Sequence, residues 1–271
     1  MTVLYPVTQR SRAITLADTR IGGRLNTAVR RSFALFDNLL KSAPLDSKSH
    51  RQDHSLRLLN NIPVICHQGF DTRLLEVAIA LHDIGVFYSQ AMDHGRESAF
   101  RIRPYLVNEV GVTPDEADKI CSMIRSHHEY EWPSDNSPEA IALRVLDCLD
   151  AFGVIGVYRF LEVYDRRGLQ PTEALPKAIA SLEQRRQVII DSWFHPDDLA
   201  IIEARYQEAR GILTETRMDL DASRPRVIIS LKGIDWDLSR LPELFDTGLP
   251  TYANSFFHRL HSALLNSACS L

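Results

Sequence analysis

The sequence predicts an all-α protein, and three observations lead to that class. Apolar residues recur at helical spacing through most of the 271 residues, whereas no segment alternates apolar and polar residues as a half-buried strand would. Helix-start signals precede several segments, and the clearest is Thr113-Pro114-Asp115-Glu116. Hydrophobic residues make up 45% of the chain and charged residues 24%, which is typical of a globular protein and excludes a disordered or collagen-like chain.

Three helices are predicted between residues 25 and 83. Residues 25–41 form an amphipathic helix, and residues 48–66 form a second one that Pro63 should kink or end. Residues 72–83 are apolar nearly all round, which indicates a central buried helix. The apolar stripe of the first helix consists of Leu25, Val29, Phe33, Phe36 and Leu40.

The next helices have recognisable starts. Asp93 can cap a helix that opens at His94, and Pro104 should bend that helix. The capping box at Thr113 starts a helix that runs to about His127.

The last part of the chain begins with another proline start. Ser137-Pro138-Glu139 opens a helix that runs through Asp150. Later helices are predicted at 176–190, at 196–218 and from Ala253 onward. Residues 221–252 differ in composition, with three prolines, two glycines and the β-prone run Val227–Leu231, so we expect an appendage there.

Charge and apolar-run length exclude several classes of protein. The net charge of −4 gives no support for nucleic-acid binding. The longest apolar runs, such as Ala151–Val157, are far shorter than the ~20 residues that cross a bilayer, and charged residues interrupt the first thirty residues, unlike a signal peptide. Four widely spaced cysteines predict buried thiols in a reducing compartment. We therefore expect a cytoplasmic protein without a membrane partner.

A set of histidines and aspartates lies at helix ends or on the inner faces of predicted helices. Imidazole and carboxylate groups are ligands for Zn, Fe, Mn and related ions, and a helical bundle can present them inward. His82-Asp83 ends an apolar helix, where burying the pair without a partner would cost several kcal/mol, so a metal ion is the expected partner. Taken singly, each residue has an ordinary structural explanation. The set comprises His54, His82, Asp83, His94, His127, His128 and Asp147.

The spacing of these residues resembles a known family signature. His54, His82-Asp83 and Asp147 resemble the H…HD…D motif of the HD-domain metal-dependent phosphohydrolases, over about residues 48–165. The segments that carry the likeness are DHSLRLL, AIALHDIG, HGRESAFRIRPYLVNEVGVTPDEADKICSMIRSHHE and LRVLDCLDAFGVIGVYR.

Dinuclear members of this family offer a further likeness. His94 and His127 resemble their two extra histidines, which are found in HD-type diadenosine-tetraphosphate hydrolases and, more distantly, in HD-GYP cyclic-dinucleotide phosphodiesterases. Two departures are clear: Val86 stands where many relatives have a lysine, and no GYP motif follows His128.

The resemblance implies an HD helical bundle that holds two divalent transition metals, Fe, Mn or similar. One metal would take His54, His82, Asp83 and Asp147, and Asp83 would bridge to a second metal held by His94 and His127, with His128 replacing or joining His127. A hydroxide activated by both metals would then cleave a phosphomonoester or a nucleotide phosphate bond. The expected partner is a small phosphorylated substrate, for which a nucleotide is one candidate.

Three residues are expected to take part in catalysis: Asp83, Asp150 and Arg57. Asp150 follows Asp147 by three residues on the same helix face, so it could orient a ligand imidazole or accept a proton, or else simply stabilise the helix. Arg57 follows His54 by three residues and could hold a substrate phosphate, as could Arg125 and Arg144; a solvated or structural role is the alternative for each.

Other residues are assigned no role in the site. Gly153 and Gly156 are interpreted as packing residues past the middle of a helical run. The remaining histidines are interpreted as surface or core residues: His50, His67, His195, His258 and His261.

Two other functions remain open. Some HD-fold proteins use the same ligand pattern for a mixed-valent di-iron oxygenase, and a non-catalytic sensor is a third possibility. The predicted organisation is an N-terminal helical extension (1–47), an HD metal-binding core (48–170), additional core helices (171–220) and a C-terminal appendage (221–271). A homodimer is compatible with this organisation.

Overall fold

The computed structural model describes residues 26–65, 70–89, 94–131, 133–192, 196–214, 220–245, 248–249 and 251–270. Within these ranges the chain is helical and contains no strand, which confirms the all-α prediction. No helix among the described residues is long and apolar enough to cross a membrane. Leu25, Cys66, His67, Asp93 and His195, which figured in the sequence predictions, lie outside the described residues.

Eleven α-helices are described within these ranges. They are α1 (Thr27–Leu40), α2 (Gln52–Ile65), α3 (Thr72–Leu81), α4 (His94–Tyr105), α5 (Pro114–Ser126), α6 (Pro138–Asp150), α7 (Gly153–Arg166), α8 (Pro171–Asp191), α9 (Pro196–Thr214), α10 (Leu220–Gly233) and α11 (Thr251–Ser270). Short 3₁₀ helices cover Ile84–Phe87 and Leu238–Leu244, and a π-helical turn, Leu106–Val110, follows Pro104.

Local start signals placed several helices correctly. At α5, the Thr113 hydroxyl accepts from the backbone N–H of Glu116, and the Glu116 carboxylate accepts in return from the N–H of Thr113. Ser137 caps α6 in a similar way. These helix starts therefore follow from local hydrogen bonding alone.

Two sequence expectations were wrong in detail, and one β-prone run proves to be helical. Helix α8 begins at Pro171 rather than residue 176, because Pro171 occupies the first turn and the Glu173 carboxylate accepts from the backbone N–H of Gln170. Gly153 does not lie within a helical run: it is the first residue of α7, with φ of +74° after a break from α6. The β-prone run Val227–Leu231 lies inside α10, where Val227 and Leu231 are buried in helical packing.

The buried apolar residues form two clusters that meet at α6. The first joins α1 to α6, and the second joins α6 and α7 to the later helices. Leu146 belongs to the first cluster, whereas its neighbour Val145 belongs to the second. Helix α6 is therefore buried from both sides, and polar residues on it lie deep in the protein. The predicted domain boundaries remain predictions.

Candidate metal centre

The predicted ligand residues come from five places in the chain and converge on one buried site. Their positions are His54 in the first turn of α2, His82 and Asp83 just after α3, His94 at the start of α4, His127 and His128 just after α5, and Asp147 near the end of α6. All are buried except His128, which is half-buried. The helix ends bring the polar groups together inside an apolar bundle.

Two glycines allow the elements that carry the ligands to approach closely. A Cβ atom on Gly85 would lie 2.2 Å from the carbonyl oxygen of His94, so the turn after Asp83 packs directly on the start of α4. A Cβ atom on Gly95 would lie 2.5 Å from the carbonyl oxygen of Ile124. Only glycine permits these contacts, and they place His94 against Asp83.

The first group of candidate ligands is His54, His82 and Asp147, whose ligand atoms all lie within 4.8 Å of one another. The two Nε2 atoms of His54 and His82 are 3.2 Å apart, and the His54 Nε2 is 3.4 Å from Asp147 Oδ1. This arrangement of two imidazoles and one carboxylate suits a transition-metal ion.

The second group is Asp83, His94, His127 and His128, whose ligand atoms also all lie within 4.8 Å of one another. The Nε2 atom of His94 lies 2.9 Å from Asp83 Oδ1, and the Nε2 atom of His127 lies 3.8 Å from that oxygen. His127 and His128 stay together in this group, so both are candidate ligands of the same ion.

Asp83 faces both groups. Its Oδ1 atom points to the second group, whereas its Oδ2 atom lies 3.2 Å from the Nε2 of His54 and 3.3 Å from the Nε2 of His82. This Oδ2 atom is buried and has no hydrogen-bond partner. A carboxylate in this position can bridge two metal ions.

The outward hydrogen bonds of two histidines leave their inner nitrogens available for a metal. The Nδ1–H of His82 donates to the carbonyl of Ile79 at 2.8 Å, and the Nδ1–H of His127 donates to the carbonyl of Ile124 at 2.6 Å. Because a carbonyl only accepts, each neutral imidazole presents an Nε2 lone pair to the cluster. The Nε2 of His127 is buried without a partner, as is Oδ2 of Asp83. These orphaned atoms fit a divalent cation.

His54 is oriented by a carboxylate instead. Its Nδ1–H donates to Asp150 Oδ2 at 2.7 Å. Asp150 also accepts two bonds from Arg57, at 2.7 and 2.9 Å, and one from Arg159 at 2.9 Å. Asp150 is therefore positioned to orient the imidazole of His54, a candidate ligand. Arg57 also donates to Asp53 at 2.7 Å, and its predicted phosphate-binding role remains a prediction.

Charge interactions keep the two candidate carboxylate ligands ionised. Burial opposes ionisation, but His82 and His50 hold the pKa of Asp83 well below its ordinary value. Burial likewise opposes ionisation of Asp147, whose pKa is nevertheless held well below its ordinary value by Arg185 and by a hydrogen bond with His54.

The histidines after α5 are held in the neutral form. Burial lowers the pKa of His127, and burial together with His127 and His94 lowers the pKa of His128 well below its ordinary value. Neutral imidazoles and ionised carboxylates are the forms that bind metals.

Sequence reasoning missed two arginines at the site. The Nη1 of Arg185 donates to Asp147 Oδ2 at 2.8 Å, and the Nη2 of Arg159 lies 3.6 Å from Asp147 Oδ1. Arg159 ends the segment LRVLDCLDAFGVIGVYR, so its position near the motif was a usable signal. Arg185 lies on α8, and no local pattern distinguishes it from neighbouring Arg186.

His50 also lies beside the site, contrary to the interpretation of this residue as lacking a site context. Its ring centroid is 6.0 Å from that of His54 and 6.3 Å from that of His94. The Nδ1 of His50 lies 2.9 Å from the hydroxyls of Ser47 and Ser49. The segment before α2 therefore places the His50 imidazole beside the site, which the spacing of the histidines in the sequence did not indicate.

The other predicted candidates lie elsewhere. Arg125 is exposed, and Arg144 is buried with its Nη2 donating to the carbonyl of Asp135 at 3.0 Å. His258 stacks on the ring of Phe245 with centroids 4.4 Å apart.

A cavity of about 100 Å³ opens directly on the candidate ligands. His94, His128 and Asp147 form part of its wall. Four guanidinium groups also line it: Arg159, Arg166, Arg167 and Arg185.

Comparison with known families agrees with this geometry. The sequence model of the family described as HD domain matches residues 51–151, which contain every candidate metal ligand. The matched segment, which is less than half of the chain, is similar to an HD domain. HD domains bind divalent metals and are generally found in metal-dependent phosphohydrolases. No curated protein and no solved structure matches the chain. The HD domain spans α2 to α6, and the arginines of the cavity lie after it.

Proposed function

We propose that this protein is a metal-dependent phosphohydrolase that cleaves a phosphomonoester or a nucleotide phosphate bond. The observation that carries the proposal is the cavity, in which guanidinium groups lie beside candidate metal ligands. Guanidinium groups match phosphate oxygens in geometry and charge. A phosphate in this cavity would lie next to the HD motif.

The two ligand groups would hold two divalent ions. His54, His82 and Asp147 would hold one ion, His94 with His127 or His128 would hold the other, and Asp83 would contribute one oxygen to each. When bound, a pair of such ions supplies a hydroxide nucleophile at neutral pH and neutralises charge on phosphate oxygens.

The surrounding residues would prepare the site for this reaction. The carbonyls of Ile79 and Ile124 and the carboxylate of Asp150 orient three imidazoles before substrate arrives. Arg159 and Arg185 lie beside Asp147 and can each donate to a phosphate oxygen. Their fixed positive charges favour the additional negative charge of a phosphoryl-transfer transition state.

The oxygen-uptake measurement described below, rather than the ligand set or the cavity, separates hydrolysis from the di-iron oxygenase alternative. Imidazole and carboxylate ligands serve both reactions, so the ligand set does not discriminate between them. Four guanidiniums in one small cavity indicate a strongly anionic substrate.

The test uses protein purified without chelator. Metal content, phosphate release from phosphomonoesters and nucleotides, and oxygen uptake with reduced iron are measured together. We expect bound transition metal, phosphate release and no substrate-dependent oxygen uptake. His82→Ala should lose both metal and activity, whereas His258→Ala, on α11, should retain both. Full activity in a metal-free preparation, or oxygen uptake without phosphate release, would overturn the proposal.

A further inference from the structure

We propose that Arg166 and Arg167 form a subsite for a second phosphate, so that the substrate carries at least two linked phosphates. The inference rests on the proposed function and adds the class of substrate. It assigns a specificity role to two residues outside the HD domain.

The charge of the cavity wall is unbalanced. Among the described residues that line it, four guanidinium groups face a single carboxylate, that of Asp147. The Nε atom of every one of these four arginines is buried and makes no hydrogen bond. Buried donors without acceptors are costly, so their concentration in one cavity indicates a missing anionic ligand.

The four arginines divide into two pairs. Arg159 and Arg185 lie against Asp147, and Arg159 also donates to Asp150 at 2.9 Å, so carboxylates neutralise this pair. Arg166 donates only to the backbone carbonyl of Val86, at 3.2 Å, and neither it nor Arg167 forms an ion pair with a carboxylate in the described part of the chain. Burial and the charge of Arg166 lower the pKa of Arg167. An anion between the second pair would relieve this repulsion.

The two pairs line one cavity; we call Arg159 and Arg185, which contact Asp147, the inner pair and Arg166 and Arg167 the outer pair. Tyr164 lines the same cavity and interacts electrostatically with both Arg185 and Arg167. Val86, which Arg166 contacts, follows Asp83 by three residues. A phosphate held by the inner pair at the metal centre would therefore direct its next linked phosphate towards the outer pair.

The size of the cavity agrees with this assignment. Its volume of about 100 Å³ is well below the roughly 300–1,000 Å³ of pockets that enclose a drug-sized ligand. The enclosed part of the substrate is therefore its phosphates, and the organic remainder lies outside.

The test compares two phosphonates that this enzyme class would not cleave, methylenediphosphonate and methylphosphonate. Binding to the metal-loaded protein is measured by calorimetry, and metal content is measured again afterwards. We expect methylenediphosphonate to bind at least about 10-fold more tightly, which is the ratio that one net charge-assisted contact supplies. Arg166→Gln/Arg167→Gln should remove this preference without changing methylphosphonate binding.

The matched control is Arg186→Gln. Arg186 also lies on a helix beside the cavity, but it pairs with Glu203 at 2.9 Å and does not line the cavity. This variant should keep the wild-type preference. Arg167→Lys keeps the positive charge but loses the planar guanidinium group, so it should retain part of the preference for methylenediphosphonate.

The outcomes separate the subsite from the hydrolysis. Equal affinities of wild-type protein for both phosphonates, or an unchanged preference in Arg166→Gln/Arg167→Gln, would overturn the subsite even if phosphate release were found. A preference that depends on the two arginines, without phosphate release from any phosphomonoester, nucleotide or diphosphate compound, would support the subsite and overturn the proposed function.

Discussion

Asp83 has one carboxylate oxygen facing each group of candidate ligands. Its Oδ1 lies 2.9 Å from the Nε2 of His94, and its Oδ2 lies 3.2 Å from the Nε2 of His54. In the proposed site, Asp83 would be shared by both ions, whereas each histidine would bind one ion only. Removing a shared ligand should therefore differ from removing a private one.

Asp83→Ala should lose both metals and all activity, and it should also destabilise the bundle, because His82 and Asp147 would be buried without the metal ion that they share. His94→Ala and His127→Ala should each retain about one metal per chain, with rates lower by orders of magnitude. Metal analysis of the three purified variants checks this. If His94→Ala and His127→Ala kept two metals and normal turnover, the second ion would not use these ligands.

Asp150 joins a candidate ligand to two buried cations. Asp150→Asn would leave Arg57 and Arg159 without a full counter-charge, so unfolding free energy should fall by about 3 kcal/mol. Metal affinity should fall about 10–100-fold, because His54 loses its orienting carboxylate. Denaturant melts and metal titration measure the two effects.

Asp53→Asn is the matched control, because Asp53 also binds Arg57 but its side chain is 45% exposed. Because solvent reaches the Asp53 carboxylate and Arg57 keeps both bonds to Asp150, this variant should cost only about 0–1 kcal/mol. Equal losses in Asp53→Asn and Asp150→Asn would contradict the positioning role of Asp150.

At the scale of elements, the site depends on how closely α4 packs on α5. Gly95 faces the carbonyl of Ile124, and a Cβ there would lie 3.1 Å from the Nδ1 of His127. The second ligand group therefore depends on a contact between backbones, because His94 and His127 are carried by the two helices that meet at Gly95.

Gly95→Ala should separate α4 from α5 and cost about 1–3 kcal/mol of stability. The second metal should be lost and the first retained, because His54 and His82 lie on other elements. Gly211→Ala is the control: Gly211 is exposed within α9, a Cβ atom there would meet nothing within 4 Å, and this variant should gain roughly 0.5–1 kcal/mol. A Gly95→Ala protein with two metals would refute this account.

At the scale of the whole molecule, α7 couples the second apolar cluster to the site. Arg159 and Arg166 lie on α7, whose buried residues pack in the second cluster with those of α11. The C-terminal segment, predicted as an appendage, thus supports the wall of the cavity.

Phe257→Ala should reduce the unfolding free energy by about 3–5 kcal/mol, because Phe257 is 0% exposed within the second cluster. Phe100→Ala should stay within about 0.5 kcal/mol, because Phe100 is 72% exposed. Chemical denaturation of both variants tests the prediction. Similar stability of the two would show that α11 does not support the fold.

Removal of metal should destabilise the whole protein. The ligand groups leave buried unpartnered atoms on Asp83 and His127, and an ion that binds only the folded state stabilises it by about 2.7 kcal/mol at a concentration 100-fold above its Kd. Chelation should therefore lower Tm by several degrees, and metal addition should restore it. Asp83→Ala should not respond to either treatment; an unchanged Tm in the wild type after complete chelation would count against a buried metal site.

Prediction from the sequence was most accurate where the determinants were local. The Thr113 capping box located α5, and the spacing of His54, His82-Asp83 and Asp147 indicated the site. Prediction was less accurate where tertiary packing determines the local backbone conformation. The break at Gly153 depends on a left-handed backbone conformation that an apolar run conceals.

The sequence by itself determined the helical class and indicated the residue types of the candidate metal centre, because helical periodicity, helix caps and motif spacing are encoded within short segments. Only the tertiary structure decided that Asp83 faces two groups at once, that Asp150 orients His54, and that Arg185 from α8 lies 2.8 Å from Asp147. These contacts join residues that are distant in the chain. They form because two apolar clusters bury α6 from both sides, and no local pattern specifies that packing.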